Sequence, residues 1–166
     1  MRKIRLLSII LVLFLFGCIE KQENTKIFFC PEDQCEERNI YAINNAEHSI
    51  DVAIYSFTSE KIAKALIDAQ KRGVECRIVI DYLQSKSKYS MKDTLEKAGL
   101  KVRVSSPDKV MHNKFAVIDD YISITGSFNW TKNANTKNDE NLVFIFDKEN
   151  AELFKAEFFE IWIDAG

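Results

Sequence analysis

The sequence predicts an α/β protein, an α/β/α sandwich around a mixed β-sheet, and three observations carry that expectation. Short apolar segments with strand alternation recur along the chain, separated by segments of helical period. Glycine closes two of the helical segments, at Gly73 and Gly99. Two later strands are separated only by Asp119-Asp120, so the second runs back beside the first.

Residues 27–29 start the sheet, and 35–47 have helical spacing through Ile40 and Ile43. Residues 49–56 alternate as a strand, and 60–71 repeat apolar residues at three and four until Gly73 stops the helix. A strand over 74–81, a helix over 90–98 ended by Gly99, and a strand over 100–104 follow. Residues 115–118 form a buried strand and 121–125 its return. The last strand covers 141–146, and an amphipathic helix over 151–163 closes the chain. Sheets of this kind bind ligands at strand ends, so polar residues there are the candidates.

One stretch, 111–130, concentrates them. His112 and Lys114 are two apart, so on an extended chain both side chains leave the same face and can meet one small anion. Gly126, Ser127 and Asn129 stand where the return strand ends, a small residue followed by a hydroxyl and an amide that can approach a phosphate closely. An edge strand with incidental polar residues accounts for the alternation but not for the Gly-Ser-x-Asn after it.

The composite pattern, His-x-Lys-x4-Asp-x6-Gly-Ser-x-Asn, resembles the HKD signature of the phospholipase D superfamily. The segments DVAIYSFTSEKIAKAL, KRGVECRIVID and TKNDENLVFIF are similar to the small single-motif nucleases of that superfamily, so the resemblance spans nearly the whole chain after residue 26. It implies a phospholipase D-like fold and a phosphodiester hydrolase that needs neither metal nor cofactor. It also implies a covalent phosphohistidine on His112 and matches Asp119 to the motif's aspartate. Glu140 matches the carboxylate that holds the catalytic imidazole in its working tautomer.

The residues permit that chemistry on their own terms. Lys114 and Asn129 are donors suited to a phosphodiester and to the charge that grows on its oxygens as phosphorus is attacked. Ser127 is placed to hydrogen-bond the phosphate or orient its neighbours, and a turn aspartate such as Asp119 also suits bracing of a loop. The departing alkoxide needs a proton, and one histidine cannot attack and donate in the same step. The chain holds only two histidines, and His48, at a helix end, reads as a surface residue. The acid is therefore expected from His112 of the partner subunit, in a homodimer with one composite site on its two-fold axis.

With 166 residues and 46% hydrophobic content the chain suits one globular domain. Residues 1–18 stand apart: Arg2, Lys3 and Arg5 precede an apolar run over 6–16 and then Gly17-Cys18, the layout of an export signal. The run is too short to span a bilayer comfortably. Leu-Phe-Gly-Cys looks like a lipoprotein processing box, with Phe16 in place of the usual small residue. Cys18 would become a lipidated N-terminus, 19–26 a polar tether and 27–166 the catalytic domain, anchored on the outer side of the cell membrane. An uncleaved anchor would also put the domain outside, because the three cations stay on the cytoplasmic side.

Removing residues 1–17 leaves 20 cations against 25 acids, a net charge of −5. A general nucleic-acid coat protein would be basic instead, so a polyanion must be held locally. Lys86, Lys88, Lys92 and Lys109 are either that local cluster or ordinary solvated lysines. Cys30 and Cys35 flank a Pro-Glu-Asp-Gln turn and suit a disulfide, with a zinc site as the alternative needing Cys76, His48 or His112 as further ligands. Cys76 reads as a buried strand thiol.

The leading function is an exported endonuclease that cleaves DNA or RNA. A phospholipid such as a cardiolipin-type lipid is the alternative substrate, with Phe128 and Trp130 as part of an apolar rim; the same aromatics could stack on bases or pack in the core. A non-catalytic phosphate-binding module would have no use for a nucleophile. A metal nuclease would have to use the acidic pairs Asp119-Asp120 and Asp139-Glu140, whose adjacent side chains point to opposite faces.

Overall fold

The computed structural model describes residues 24–166. The export segment, Cys18 and most of the tether lie outside the described residues. Seven strands form one sheet: β1 (Thr25–Cys30), β2 (Ser49–Ile54), β3 (Glu75–Ile80), β4 (Lys101–Val104), β5 (Lys114–Ile118), β6 (Ile122–Gly126) and β7 (Glu140–Phe146). Their spatial order is β1-β7-β6-β5-β2-β3-β4, parallel across β2-β3-β4 and antiparallel elsewhere. This is the mixed sheet the sequence predicts. The parallel half comes from helical crossovers, and the antiparallel half from the β5–β6 hairpin and the strands added beyond it.

Helices α1 (Cys35–Asn44), α2 (Glu60–Lys71) and α4 (Lys92–Lys97) lie on one side of the sheet, and α6 (Lys148–Asp164) lies on the other. Helix α2 shows why the pattern was readable. Ser59 caps it by accepting from the Ile62 amide at 3.2 Å, and Ile62, Ala63, Leu66 and Ala69 face the core. Beyond its last turn Gly73 has φ 96°, open to glycine at little cost. On the opposite side Phe158 and Ala151 of α6 pack on Ala53, Val79, Phe115 and Val117. Among the described residues no helix is long and apolar enough to cross a membrane.

Two short helices depart from the sequence expectation, α3 (Tyr82–Ser85) and α5 (Lys132–Thr136). Each is a turn or so of chain held by a capping side chain, Asp81 for α3 and Thr131 for α5, and is too short to show a helical period. Helix α1 stops at Asn44 rather than 47 because the amides of Glu47, His48 and Ser49 bond to Asp119.

Cys30 and Cys35 form a disulfide with Cα atoms 5.8 Å apart, so the sulfurs tie β1 to α1 and are not zinc ligands. Cys76 is buried, and burial pushes its thiol up to about 12. His48 is exposed, as expected of a surface residue.

Asp119, grouped with the catalytic residues by the motif and also expected to brace a loop, is placed away from Lys114 and does the bracing. With Asp120 it forms the hairpin turn, both at positive φ (51° and 54°), closed by the Tyr121 amide donating to Ile118 at 3.1 Å. The turn is at the far end of β5 from Lys114, about 15 Å away at strand rise. The Asp119 carboxylate accepts from the amides of His48 (2.7 Å), Ser49 (2.9 Å) and Glu47 (2.9 Å). Burial would raise its pKa, but these three donors outweigh that and hold it below the ordinary 3.8. A depressed carboxylate contributes stability above its unfolded pKa and loses it as pH falls through the folded value. Asp119→Ala is therefore expected to cost about 2–3 kcal/mol, lowering Tm by roughly 5–10 °C. Thermal unfolding should show that loss at pH 7 and a smaller one near pH 2, with turnover at low temperature retained.

Candidate active site

The site is built where β5 begins and β6 ends. Strand β5 starts at Lys114, which pairs with Ile54, the last residue of β2. The chain just before β5 runs beside the end of β2, where the Tyr55 amide donates to the Asn113 carbonyl at 2.8 Å. On this stretch the Lys114 ammonium lies 3.2 Å from Nδ1 and 3.4 Å from Nε2 of His112, and donates to the His112 carbonyl at 2.8 Å. The pairing inferred from the two-residue spacing is present. His112 is exposed and Lys114 half-buried, and burial holds the Lys114 pKa below its ordinary 10.5 while the nearby Glu140 charge opposes that shift.

The Gly126–Asn129 loop comes from the neighbouring strand. Gly126 has φ 150°, and a Cβ there would collide with the Asn141 carbonyl, so only glycine lets β6 and β7 close at this point. The Ser127 amide then donates to that carbonyl at 3.1 Å. The Asn129 side-chain oxygen accepts from the Ser56 amide at 3.3 Å, which ties the loop to the end of β2 and leaves the Asn129 Nδ2 donors for another acceptor.

Glu140 makes its same-chain contacts at the β6–β7 end. Its carboxylate accepts from the Ser127 hydroxyl and from Asn138 Nδ2 (2.9 Å) rather than from the His112 ring of the same chain. The cause is the strand order, because Glu140 opens β7 while His112 precedes β5, two strand spacings or about 9–10 Å away. The Ser127–Glu140 bond brings the hydroxyl and the carboxylate to the same edge as Lys114.

Phe128 and Trp130 are core residues, 1% and 3% exposed, with Trp130 meeting Phe57 edge to face at 5.1 Å. They form neither a lipid rim nor a base-stacking platform. The four lysines are not one free cluster either. Lys92 pairs with Glu96 at 2.7 Å and Lys109 with Asp164 at 2.8 Å, whereas Lys86 and Lys88 lie 3.9 and 4.8 Å over the rings of Tyr82 and Tyr89. The two acidic pairs cannot share a metal, because Asp119-Asp120 make the hairpin turn and Glu140 is at the opposite end of β6.

Tyr55 was not singled out on sequence. Its ring lies 4.5 Å from the His112 ring, tilted by 56°, and 5.1 Å from the Lys114 ammonium. The available signal was its place just after β2, at a strand end where such sheets bind ligands. Beside the site a groove of about 550 Å³ is lined by His112, Lys114, Thr125, Leu153, Phe154 and Glu157. Its α6 side carries Leu153, Phe154 and the acidic Glu157, and its β5 side carries Lys114 and Phe115.

Comparison with known proteins gives a consistent result. The family model described as "Cardiolipin synthase, PLD-like domain" matches residues 40–162. The phospholipase D of Rickettsia prowazekii is 36% identical over 138 residues, 83% of this chain and 67% of that protein. The mitochondrial cardiolipin hydrolase of Chlamydomonas reinhardtii is 30% identical over 141 residues, 80% of this chain and 63% of that protein, so the chain spans only part of the length of both relatives. Among solved structures, Nuc of Salmonella typhimurium, a phospholipase D family member, superposes with a TM-score of 0.81 at 34% identity, covering 86% of this chain and 95% of Nuc.

Proposed function

The chain belongs to the phospholipase D superfamily of phosphodiesterases, and from that premise we propose that it is a metal-independent nuclease acting on DNA or RNA. In this reading His112 attacks phosphorus and carries the covalent phosphoryl group. Lys114 and the Asn129 amide neutralise the phosphate oxygens, which are most charged in the transition state. Glu140 holds the Ser127 hydroxyl, and through it the loop that carries Asn129. The proton for the leaving oxygen comes from His112 of the partner subunit in a two-fold dimer, because the only other histidine, His48, adjoins the Asp119 turn at the far end of β5.

The polar character of the site's strand edge carries the choice of nucleic acid. Two polar groups share that edge, His112 with Lys114 and Glu140 with Ser127 and Asn138, while the two aromatics that would have formed a lipid rim are in the core. A phospholipid is the second reading, favoured by two apolar side chains in the groove, Leu153, 67% exposed, and Phe154, beside Glu157. The relative named as a cardiolipin hydrolase is consistent with it. Outside the described residues the proposal includes export and a lipid anchor on Cys18, and Cys18→Ser should leave the processed, membrane-bound form missing on fractionation.

The test offers the purified protein labelled single-stranded DNA, duplex DNA, RNA and cardiolipin vesicles side by side in excess EDTA. Cleavage of at least one nucleic acid, faster than lipid turnover, is expected. Lipid turnover alone would establish the second reading, and activity only after magnesium or zinc is restored would overturn metal independence.

A further inference from the structure

His112 is exposed, so packing around its own side chain does little to hold it in place. Besides the Lys114 ammonium on its carbonyl and the Tyr55 amide on the Asn113 carbonyl, two routes lead from it to one buried carboxylate at the end of β3. Asp81 is 1% exposed, and its two oxygens serve different segments. One accepts from the amides of Leu83 at 3.0 Å and Gln84 at 3.1 Å, which caps α3. The other accepts from the amide of Met111 at 3.1 Å. Met111 is a core residue, and the next residue is His112.

The capped helix reaches the imidazole by a second route. Gln84 of α3 donates from Nε2 to the Tyr55 hydroxyl at 3.1 Å, and the Tyr55 ring packs against His112 at 4.5 Å. Ser105, after β4, fixes the same corner by accepting from the Tyr82 amide at 3.0 Å. Three N–H donors therefore converge on Asp81, a geometry suited to a side chain that only accepts.

We propose that Asp81 is the positioning residue for His112, holding the backbone before it through Met111 and the ring beside it through Gln84 and Tyr55. The proposal rests on the reading of His112 as nucleophile. In-line attack on phosphorus tolerates little error, and a displacement of about 1 Å costs about 10²-fold in rate. Neither Asp81, Gln84 nor Tyr55 reacts; each acts through the imidazole.

The two arms can be cut separately. In Asp81→Asn the amide oxygen still caps α3, since asparagine is as good a cap as aspartate, but its NH₂ group faces the Met111 amide and that arm opens. Tyr55→Phe and Gln84→Met each remove the bond in the other arm while keeping the ring or the chain length. Each single variant is expected to lower kcat by about tenfold with KM within about twofold, a fraction of the full misplacement cost. Tyr55→Phe combined with Gln84→Met should be no worse than either alone, because they break one bond, whereas Asp81→Asn combined with Tyr55→Phe should fall further. With only two histidines in the chain, imidazole NMR signals report the position directly. The His112 signals should shift or broaden in all three variants, and those of His48 should not. Wild-type kcat in the variants, with His112→Asn inactive, would overturn the proposal. So would a fall in Tm with unaltered His112 signals, the mark of a merely structural role. Full turnover by His112→Asn would instead remove the nucleophile reading on which the proposal stands.

Discussion

His112→Asn is expected to lower phosphodiester turnover by at least about 10²-fold, with KM little changed. The amide keeps a side chain of similar reach beside Lys114, so substrate binding through Lys114 and Asn129 persists, but it offers no lone pair nucleophilic enough to attack phosphorus. The His112 imidazole contacts Tyr55 and Lys114 and is exposed, so the fold should tolerate the change, and Tm should move by little. Steady-state kinetics with a thermal melt on the same sample check both halves. Activity within a few-fold of wild type would move the chemistry away from His112.

The second large effect is expected from mixing chains. If the composite site needs an imidazole from each protomer, a dimer of one wild-type and one His112→Asn chain completes no catalytic cycle. Equal amounts of the two chains, unfolded and refolded together, should leave only the wild-type pairs active, about a quarter of the dimers. Independent sites would leave about half of the activity. That second outcome, or a fully active monomer at assay concentration, would place the leaving-group acid elsewhere within the same chain.

The strand and helix order was legible because each long element carries its own period, and the paired His112 and Lys114 because two residues apart on extended chain means one face. What escaped the sequence depends on tertiary placement. Helices α3 and α5 exist through single caps, Asp81 and Thr131, and are too short for periodicity to register. Asp119 was legible as a turn residue suited to bracing a loop, but that the loop it braces is 47–49 follows only from the tertiary fold. Within one chain Glu140 bonds Ser127, and β6 lies between its strand β7 and the β5 that follows His112. Phe128 and Trp130 follow β6 in a loop where no strand period applies, so their burial, with Trp130 against Phe57, shows only in the fold. Tyr55 had no motif of its own, and its role follows from the pairing of β2 with β5.

In the proposed mechanism a phosphoryl group passes through His112 without metal. The direct measurement is to react the protein with an end-labelled oligonucleotide in excess EDTA, quench with alkali-stable denaturant within the first turnover, digest, and locate the covalent adduct by mass spectrometry. The account predicts a phosphoramidate adduct on the peptide carrying His112, absent from the His112→Asn protein and lost in acid as phosphohistidine is. Cleavage that proceeds in EDTA with no adduct on that peptide, or an adduct on any other residue, would contradict it.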